Sequence, residues 1–195
     1  MAKKQKQKKL SKETILAEAK QMFSSKGYRG TTLQDLTSSF GVSRPSIYYY
    51  IKSKVDLLLE LHHQGYTEAL KRFEEILSTR LPTREKFRKI LEVHARNLAN
   101  DTELHKILYI DEHEMPEKLT REIRRRRKEY TDRVVEVYRQ GVEEGIFKDI
   151  EPRMAVYLLL GACNWITMWY SPAKTIPPEA VVEALMELLC HGYEK

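Results

Sequence analysis

Cysteine is nearly absent from this chain of 195 residues, which holds only Cys163 and Cys190. The two do not have metal-ligand spacing and lie in helical, apolar surroundings, so they read as buried thiols, not as a metal clasp. Long hydrophobic runs are missing as well. The longest apolar stretch, from Val156 to Tyr170, is interrupted by Gly161, Asn164 and Thr167. It falls short of the roughly 20 apolar residues that a membrane span needs. The lysine-rich start, Met1 to Lys9, has no apolar core behind it, which a secretory signal requires. These absences predict a cytosolic protein with no membrane partner. Strand signals are lacking, because no run alternates β-branched with polar residues. No phosphate-cradling glycine loop, nucleophile–base pair or usefully spaced pair of carboxylates is found, which speaks against an enzyme. His105, Asp111, His113 and Glu114 lie close together in sequence but match no ligand spacing; they read as solvated residues between two helices. No cofactor and no metal is expected.

What is present is an uneven charge. Residues 1–55 carry 12 Lys or Arg against Glu13, Glu18 and Asp35, a balance of +9, whereas residues 56–195 carry 22 basic and 25 acidic residues, a balance of −3. A cation at one end of a nearly neutral chain points to a polyanionic partner there. A membrane surface or simple solubility would use the same asymmetry, and the details of the first 55 residues separate these readings.

The periodicity predicts a helix from Ser11 to Lys26, with Ile15, Ala19, Met22 and Phe23 on one face, Ser11 as its cap and Gly27 as its stop. Thr32 and Asp35 have capping-box character and open a short helix from Leu33 to Phe40. Gly41 allows a tight reversal, after which Ser43 can cap a third helix that tolerates Pro45 in its first turn. Val42 and Ile47 would anchor this helix, leaving Arg44, Ser46, Tyr48 and Tyr49 outward. Three consecutive tyrosines, Tyr48, Tyr49 and Tyr50, cannot all face a core. Their hydroxyls suit phosphate oxygens and their rings suit base methyls and sugars. Ser53 and Asp56 form another capping box, and Lys54 in the first turn of the next helix is wrong for the helix dipole but right beside a phosphate.

Residues 11–59 resemble the DNA-binding domain of the tetracycline-repressor family. The matching run is Ile15, Ala19, Phe23, Gly27-Tyr28, Thr31-Thr32-Leu33, Asp35-Leu36, Gly41-Val42-Ser43, Ser46-Ile47-Tyr48, Tyr50, Lys52-Ser53-Lys54 and Leu57-Leu58, with no gap. Ile51 departs from the pattern, since many members carry Phe there. The resemblance implies that Ser43, Arg44, Pro45 and Ser46 approach base edges in the major groove, and that Thr32, Tyr48, Tyr49, Tyr50 and Lys54 approach phosphates. It also implies a nine-helix, all-α protein in which residues 1–10 form a basic arm, 11–55 the helix-turn-helix domain and 56–195 a helical body for ligand binding and dimerisation.

Beyond residue 55, prolines punctuate a pattern that is helical throughout. Helices are expected from Lys54 to about Leu77, Thr83 to about Ala99, Thr102 to Ile110, Pro116 to Glu144, Pro152 to Tyr170 and Pro178 to His191. The last two are the most apolar, and the family pairs them with their mates in a two-fold four-helix interface. A homodimer is therefore expected, with Tyr157, Leu158, Gly161, Ala162, Val182, Leu185, Met186 and Leu189 at its interface. The stretch from Asn164 to Pro172, with Trp165 and Trp169, together with Gly145-Ile146-Phe147, looks like the subgroup of this family that responds to acyl-coenzyme A thioesters. That likeness implies a repressor released by a medium- or long-chain acyl thioester. Trp165, Trp169, Tyr109, Met115 and Tyr130 would line its pocket, and Arg124 and Arg127 would meet its phosphates. Two alternatives stay open. Trp165 and Trp169 also fit a dimer core, and the arginine run also fits a solvated face paired with Glu117, Glu122 and Glu129. A multidrug-type sensor of the same fold, a helical enzyme acting on acyl thioesters and a scaffold protein are the competing functions.

Overall fold

The computed structural model of the chain describes residues 10–109, 117–171 and 176–193, and every regular element among them is a helix. In chain order these are α1 (Lys12–Lys26), α2 (Leu33–Phe40), α3 (Arg44–Tyr48), α4 (Lys54–Leu77), α5 (Thr83–Asn100), α6 (Thr102–Tyr109), α7 (Glu117–Glu143), α8 (Pro152–Asn164), α9 (Ile166–Trp169) and α10 (Pro178–Tyr193). The single helix expected from Pro152 to Tyr170 is thus two pieces. Trp165 interrupts it, and there the Thr167 hydroxyl donates to the Asn164 carbonyl at 2.8 Å. Such side-chain bonding to the preceding turn competes with the regular helical ladder. None of the described helices is long and apolar enough to cross a membrane.

Local chemistry sets the first three helices. The Ser11 hydroxyl accepts from the Thr14 N–H, and the Thr32 hydroxyl accepts from the Asp35 N–H while Asp35 reaches back to the Thr32 N–H. Gly41 takes the left-handed conformation (φ 64°); its N–H donates to the Ser38 carbonyl and that of Val42 donates to the Thr37 carbonyl. That pair of bonds satisfies the last carbonyls of α2 and reverses the chain, and only glycine adopts that backbone without strain. Ser43 stands at the N-cap of α3 but does not cap it through its side chain. Its hydroxyl instead meets the Ser46 hydroxyl at 2.9 Å.

Two cores result. In the first, Ile15, Leu16, Phe23, Leu36, Phe40, Ile47 and Ile51 pack on Leu57, Leu58 and Leu61 of α4 and on Leu104, Leu119 and Ile123 of α6 and α7. The division expected at residue 55 is therefore not a break in packing. The second core is built around α5, which lies against α4, α7, α8 and α10. Val182 and Met186 belong to this core, each 2% exposed, and correct the expectation that they face a partner. The last helix is apolar on more than one side, and these two positions point at α5's side of the body. Burial pushes the Cys163 thiol up to about 12, and Cys190 is half-buried; neither forms a disulfide.

Phe87, Tyr138 and Phe147 cluster at the centre of this core with ring centroids 5.1–5.5 Å apart, Tyr138 stacked on Phe147. The Phe147 ring lies over Gly141, and a Cβ there would fall on the ring. Gly141→Ala is expected to destabilise the fold by about 1–3 kcal/mol, the usual cost of overpacking a filled core. A urea melt reads this as a lower midpoint at unchanged slope; an unchanged midpoint would mean that the ring moves aside freely.

Candidate DNA-reading surface and ligand cavity

The reading surface grows out of α3. Ile47 is fully buried and pins the helix to α1 and α2, so Arg44, Pro45, Tyr48 and Tyr49 face out. Tyr49 is 84% exposed, a large ring kept in water. Tyr50 is half-buried on the first core and meets Tyr49 edge-on, with centroids 5.0 Å apart. Val42 packs there too, as its position suggested. Arg44 Nε donates to Gln34 Oε1 on α2, which holds the guanidinium along the surface. Ser43 is exposed and Ser46 half-buried, joined through their hydroxyls.

Beside α3 runs a groove of about 450 Å³, lined by Thr31, Thr32, Leu33, Gln34, Arg44, Tyr48, Lys52, Ser53 and Lys54. It gathers three cations and no carboxylate. Gln34 and Lys52 were not singled out from the sequence, although both are exposed polar residues beside recognised motif positions. Thr32 sits at the rim, but its hydroxyl is engaged with Asp35, accepting from its N–H and donating to Oδ2 at 2.7 Å. Those hydrogen bonds hold the Asp35 carboxyl below its ordinary range. Lys54 is engaged as well: Nζ donates to the Tyr28 carbonyl at 2.9 Å and lies 4.2 Å from the centre of the Tyr28 ring. Burial lowers its pKa. The lysine therefore ties α4 to the turn after α1 while standing in the groove. The lysine-rich arm, residues 1–9, lies outside the described residues.

A cavity of about 280 Å³ opens between α4, α5, α6 and α7, with Lys20 of α1 at its edge. Arg127 and Tyr130 line it. Trp165 and Trp169 do not; they are 62% and 49% exposed on the outside of α8 and α9, which corrects their reading as pocket residues. Arg124 is exposed on α7 and likewise does not line the cavity. The Tyr109 side chain and Met115 lie outside the described residues. The rest of the arginine run pairs along its own helix: Arg121 with Glu117 at 2.7 Å, Arg125 and Arg126 with Glu122 at 2.9 and 2.6 Å, and Lys128 with Asp132 at 2.6 Å.

Sequence reasoning missed most of the cavity's polar wall. His62 and Tyr66 come from α4, His94 and Asn97 from α5 and Asn100 from its end; His105, expected among solvated residues between two helices, stands in α6 and lines the cavity too. His62 stacks on Tyr66 (6.3 Å) and His94 on Tyr130 (5.6 Å), while His94 Nε2 donates to Asn164 Oδ1 at 3.1 Å. Burial holds His62 and His94 down to about 4 and His105 to about 3. Burial, then Glu129, pushes the Tyr66 hydroxyl up to about 12. On α4 the wall residues His62, Gly65, Tyr66 and Ala69 recur on one face of the helix. Among the described residues no cluster of His, Cys, Asp and Glu has metal-binding geometry.

The outer face of α8 and α9 is strongly apolar. Met154, Tyr157, Leu158, Trp165, Met168 and Trp169 are exposed there; Leu158 is 68% exposed, and Leu188 on α10 is 77% exposed. Gly161 is exposed among them with open space above it. Ala162, Leu185 and Leu189 are half-buried at the margin.

The chain resembles known proteins over almost its whole length. Residues 15–61 match the family model described as bacterial regulatory proteins, tetR family, and residues 80–193 match tetracyclin repressor-like, C-terminal domain. A crystal structure of a transcriptional regulator of the TetR/AcrR family from Thermobifida fusca superposes with a TM-score of 0.79 at 33% identity, covering 94% of this chain and 98% of that one. The fatty acid metabolism regulator protein of Bacillus subtilis is 23% identical over 189 residues, covering 96% of this chain and 97% of the relative. AibR, solved in complex with isovaleryl coenzyme A and operator DNA, has a TM-score of 0.77 at 19% identity, covering 91% of this chain and 96% of that one.

Proposed function

Since the chain belongs to the tetracycline-repressor family of DNA-binding transcriptional regulators, we propose that it is a cytoplasmic repressor that binds a palindromic operator as a homodimer and is released by an acyl-coenzyme A thioester. The observation that carries the DNA-reading part is the outward face of α3, where Arg44 and two exposed tyrosines flank a cationic groove. In this reading Ser43, Arg44, Pro45 and Ser46 meet base edges. Tyr48, Tyr49, Tyr50, Lys52, Lys54 and the rim at Thr32 meet phosphates. A five-residue helix reads only a few base pairs, so a two-fold partner is needed to read enough sequence. The exposed apolar face around Leu158 and Trp165 supplies the surface for that partner, because a patch of this kind rarely stays in water.

The cavity is the effector site in this reading. It is small for a binding pocket, which favours a short acyl chain over the medium or long one expected from the sequence. The names of the relatives, one a fatty acid metabolism regulator and one solved with isovaleryl coenzyme A, support the thioester class. The site also touches the reading head directly. Leu61 lies in both the cavity wall and the first core, as do Leu104 and Ile123. A ligand that shifts α4 or α6 therefore shifts the floor on which α1–α3 rest.

Fluorescence anisotropy with duplexes selected from random sequence tests the reading. Log affinity should fall linearly with log salt, with a slope of about −0.9 per phosphate contacted. Tyr49→Ala and Lys52→Ala are expected to weaken all sequences alike, and Arg44→Ala to relax preference at one position by about 1–3 kcal/mol. Unchanged base preference in Arg44→Ala would remove that residue from the reading role. Release by aromatic drugs but not by thioesters would replace the proposed effector class.

A further inference from the structure

The reading of DNA by α3 leaves open which base Arg44 takes, and the arginine's own bonding bears on it. Arg44 opens α3 and is exposed, as is Gln34 in the first turn of α2. Leu36, Phe40 and Ile47 pack these two helices into one core, so both side chains start from a fixed frame and line the same groove. The Arg44 Nε–H donates to Gln34 Oε1, and among the described residues this is the arginine's one hydrogen bond. No carboxylate among them pairs with it. Asp35, the acid closest in sequence, is bonded to Thr32 and stands 3.6 Å from Lys26. A cation steadied by a neutral amide keeps its whole charge for a ligand, whereas a carboxylate in the place of Gln34 would cancel it.

An arginine has donors only, so the Gln34 atom that meets it is the carbonyl oxygen, and the amide NH2 is turned away. Gln34 thereby loses the acceptor with which a glutamine reads adenine, because that pairing needs the carbonyl and the NH2 together. Arg44 loses only its Nε–H. Its terminal nitrogens, Nη1 and Nη2, keep the edge that offers two parallel N–H groups. What the pair still offers a ligand is N–H donors alone. In the major groove guanine presents two neighbouring acceptors, N7 and O6, and no donor. Adenine and cytosine present an amino group there, and thymine one oxygen beside a methyl. Lys52 and Lys54, the other cations of the groove, are compact point charges that suit single phosphate oxygens better than a two-acceptor edge.

We infer that Arg44 reads a guanine through Nη1 and Nη2, and that Gln34 is its positioning residue, holding the guanidinium by Nε without touching the base. The inference deepens the DNA-reading assignment of α3 and rests on it. An untethered guanidinium swings to a phosphate or to a thymine oxygen when the guanine is missing, and so recovers part of what it lost. One held at Nε does not, and specificity is the difference between the right and the wrong partner. The tether also removes part of the side chain's rotamer freedom before DNA arrives.

Selection of duplexes from random sequence by the full chain, followed by anisotropy on the selected operator, tests this. A guanine is expected at one position of each half-site, and changing it to adenine in one half-site should weaken binding by about ten- to a hundredfold. 7-Deazaguanine, which lacks only the N7 acceptor, should reproduce a large part of that loss. Arg44→Ala is expected to abolish the discrimination at this base. Gln34→Met keeps the side chain's length without its carbonyl and should cut the same discrimination by about three- to tenfold, the worth of one hydrogen bond, with preferences at the other positions kept. Added to Arg44→Ala, Gln34→Met should change nothing further at that base, because the two act as one unit. Both side chains are exposed, so thermal melts of the variants should match that of the parent. The inference is overturned if the position that Arg44→Ala relaxes holds a base other than guanine. It is overturned equally if Gln34→Met weakens every sequence alike and leaves the preference intact, which would make the glutamine a backbone contact. If no duplex is bound even at low salt, the DNA-reading assignment of α3 falls first and takes the inference with it.

Discussion

Leu158→Asp is expected to turn the protein into a monomer and to weaken its hold on a two-half-site operator by at least about a hundredfold. Leu158 stands at the centre of the exposed apolar face of α8, between Met154, Tyr157, Gly161 and Trp165. Burying a leucine contributes about 1.5–3 kcal/mol, and at a two-fold interface each change counts twice. A carboxylate there would face its own copy across the axis without a cation to meet it, and desolvating an unpaired charge costs far more than the lost contact. The head is untouched, so each monomer still presents a correct α3. What disappears is the second half-site contact, which in the dimer acts at an effective concentration near the millimolar range. Light scattering gives the mass and anisotropy the affinity. A variant that stays dimeric with full operator affinity would place the interface elsewhere.

The second large effect concerns acid. His62, His94 and His105 are held at about 4, 4 and 3, against 6.5 for a free imidazole. Between these values and 6.5 the unfolded chain binds protons that the folded chain refuses. Stability from these groups is thus complete above about pH 6.5 and is lost as pH falls toward 4. At about 1.4 kcal/mol per pH unit, the three together amount to several kcal/mol, a large part of the roughly 5–15 kcal/mol that holds a domain of ordinary stability. The melting temperature is expected to be flat from pH 8 to 7 and to fall steeply between pH 6.5 and 4.5, before most carboxylates titrate. Replacing His94 with Gln, which keeps a donor for Asn164, should flatten that fall. A melting temperature that stays level down to pH 5 would mean that the cavity opens to water and lets the imidazoles charge in place.

Much of this architecture was legible in the amino-acid order, and the reason is locality. The capping pairs Ser11–Thr14, Thr32–Asp35 and Ser53–Asp56 and the stops at Gly27 and Gly41 act within five residues, so position in sequence is position in space. Tyr48 and Tyr49 could be assigned outward because a short helix has one inner face and Ile47 already occupies it. The body was harder. Helices α8 and α10 are apolar on more than one side, and periodicity does not say which side meets the chain's own core and which meets a partner. Val182 and Met186 went inward while Leu188 stayed out. For Trp165 and Trp169 the likeness to the acyl-coenzyme A-responsive subgroup implies a pocket, with a dimer core as the alternative, and the break at Trp165 leaves them on the outside. The histidine wall was invisible for another reason. His62, His94 and His105 are up to 43 positions apart and become neighbours only when α4, α5 and α6 pack. Single histidines on amphipathic helices carry no local mark of what they will face.

The floor beneath the reading head has one more consequence. Leu104, Leu119 and Ile123 come from far down the chain, yet they complete the packing of α1–α4. A fragment cut after Leu61 would strand that apolar underside in water, and grafting the head onto an unrelated body would leave it seated on foreign ground. Any exchange of operator preference between such regulators has to happen by changing the few outward residues of α3, or by carrying α6 and the start of α7 along with the graft. Modularity, in this molecule, stops at the surface.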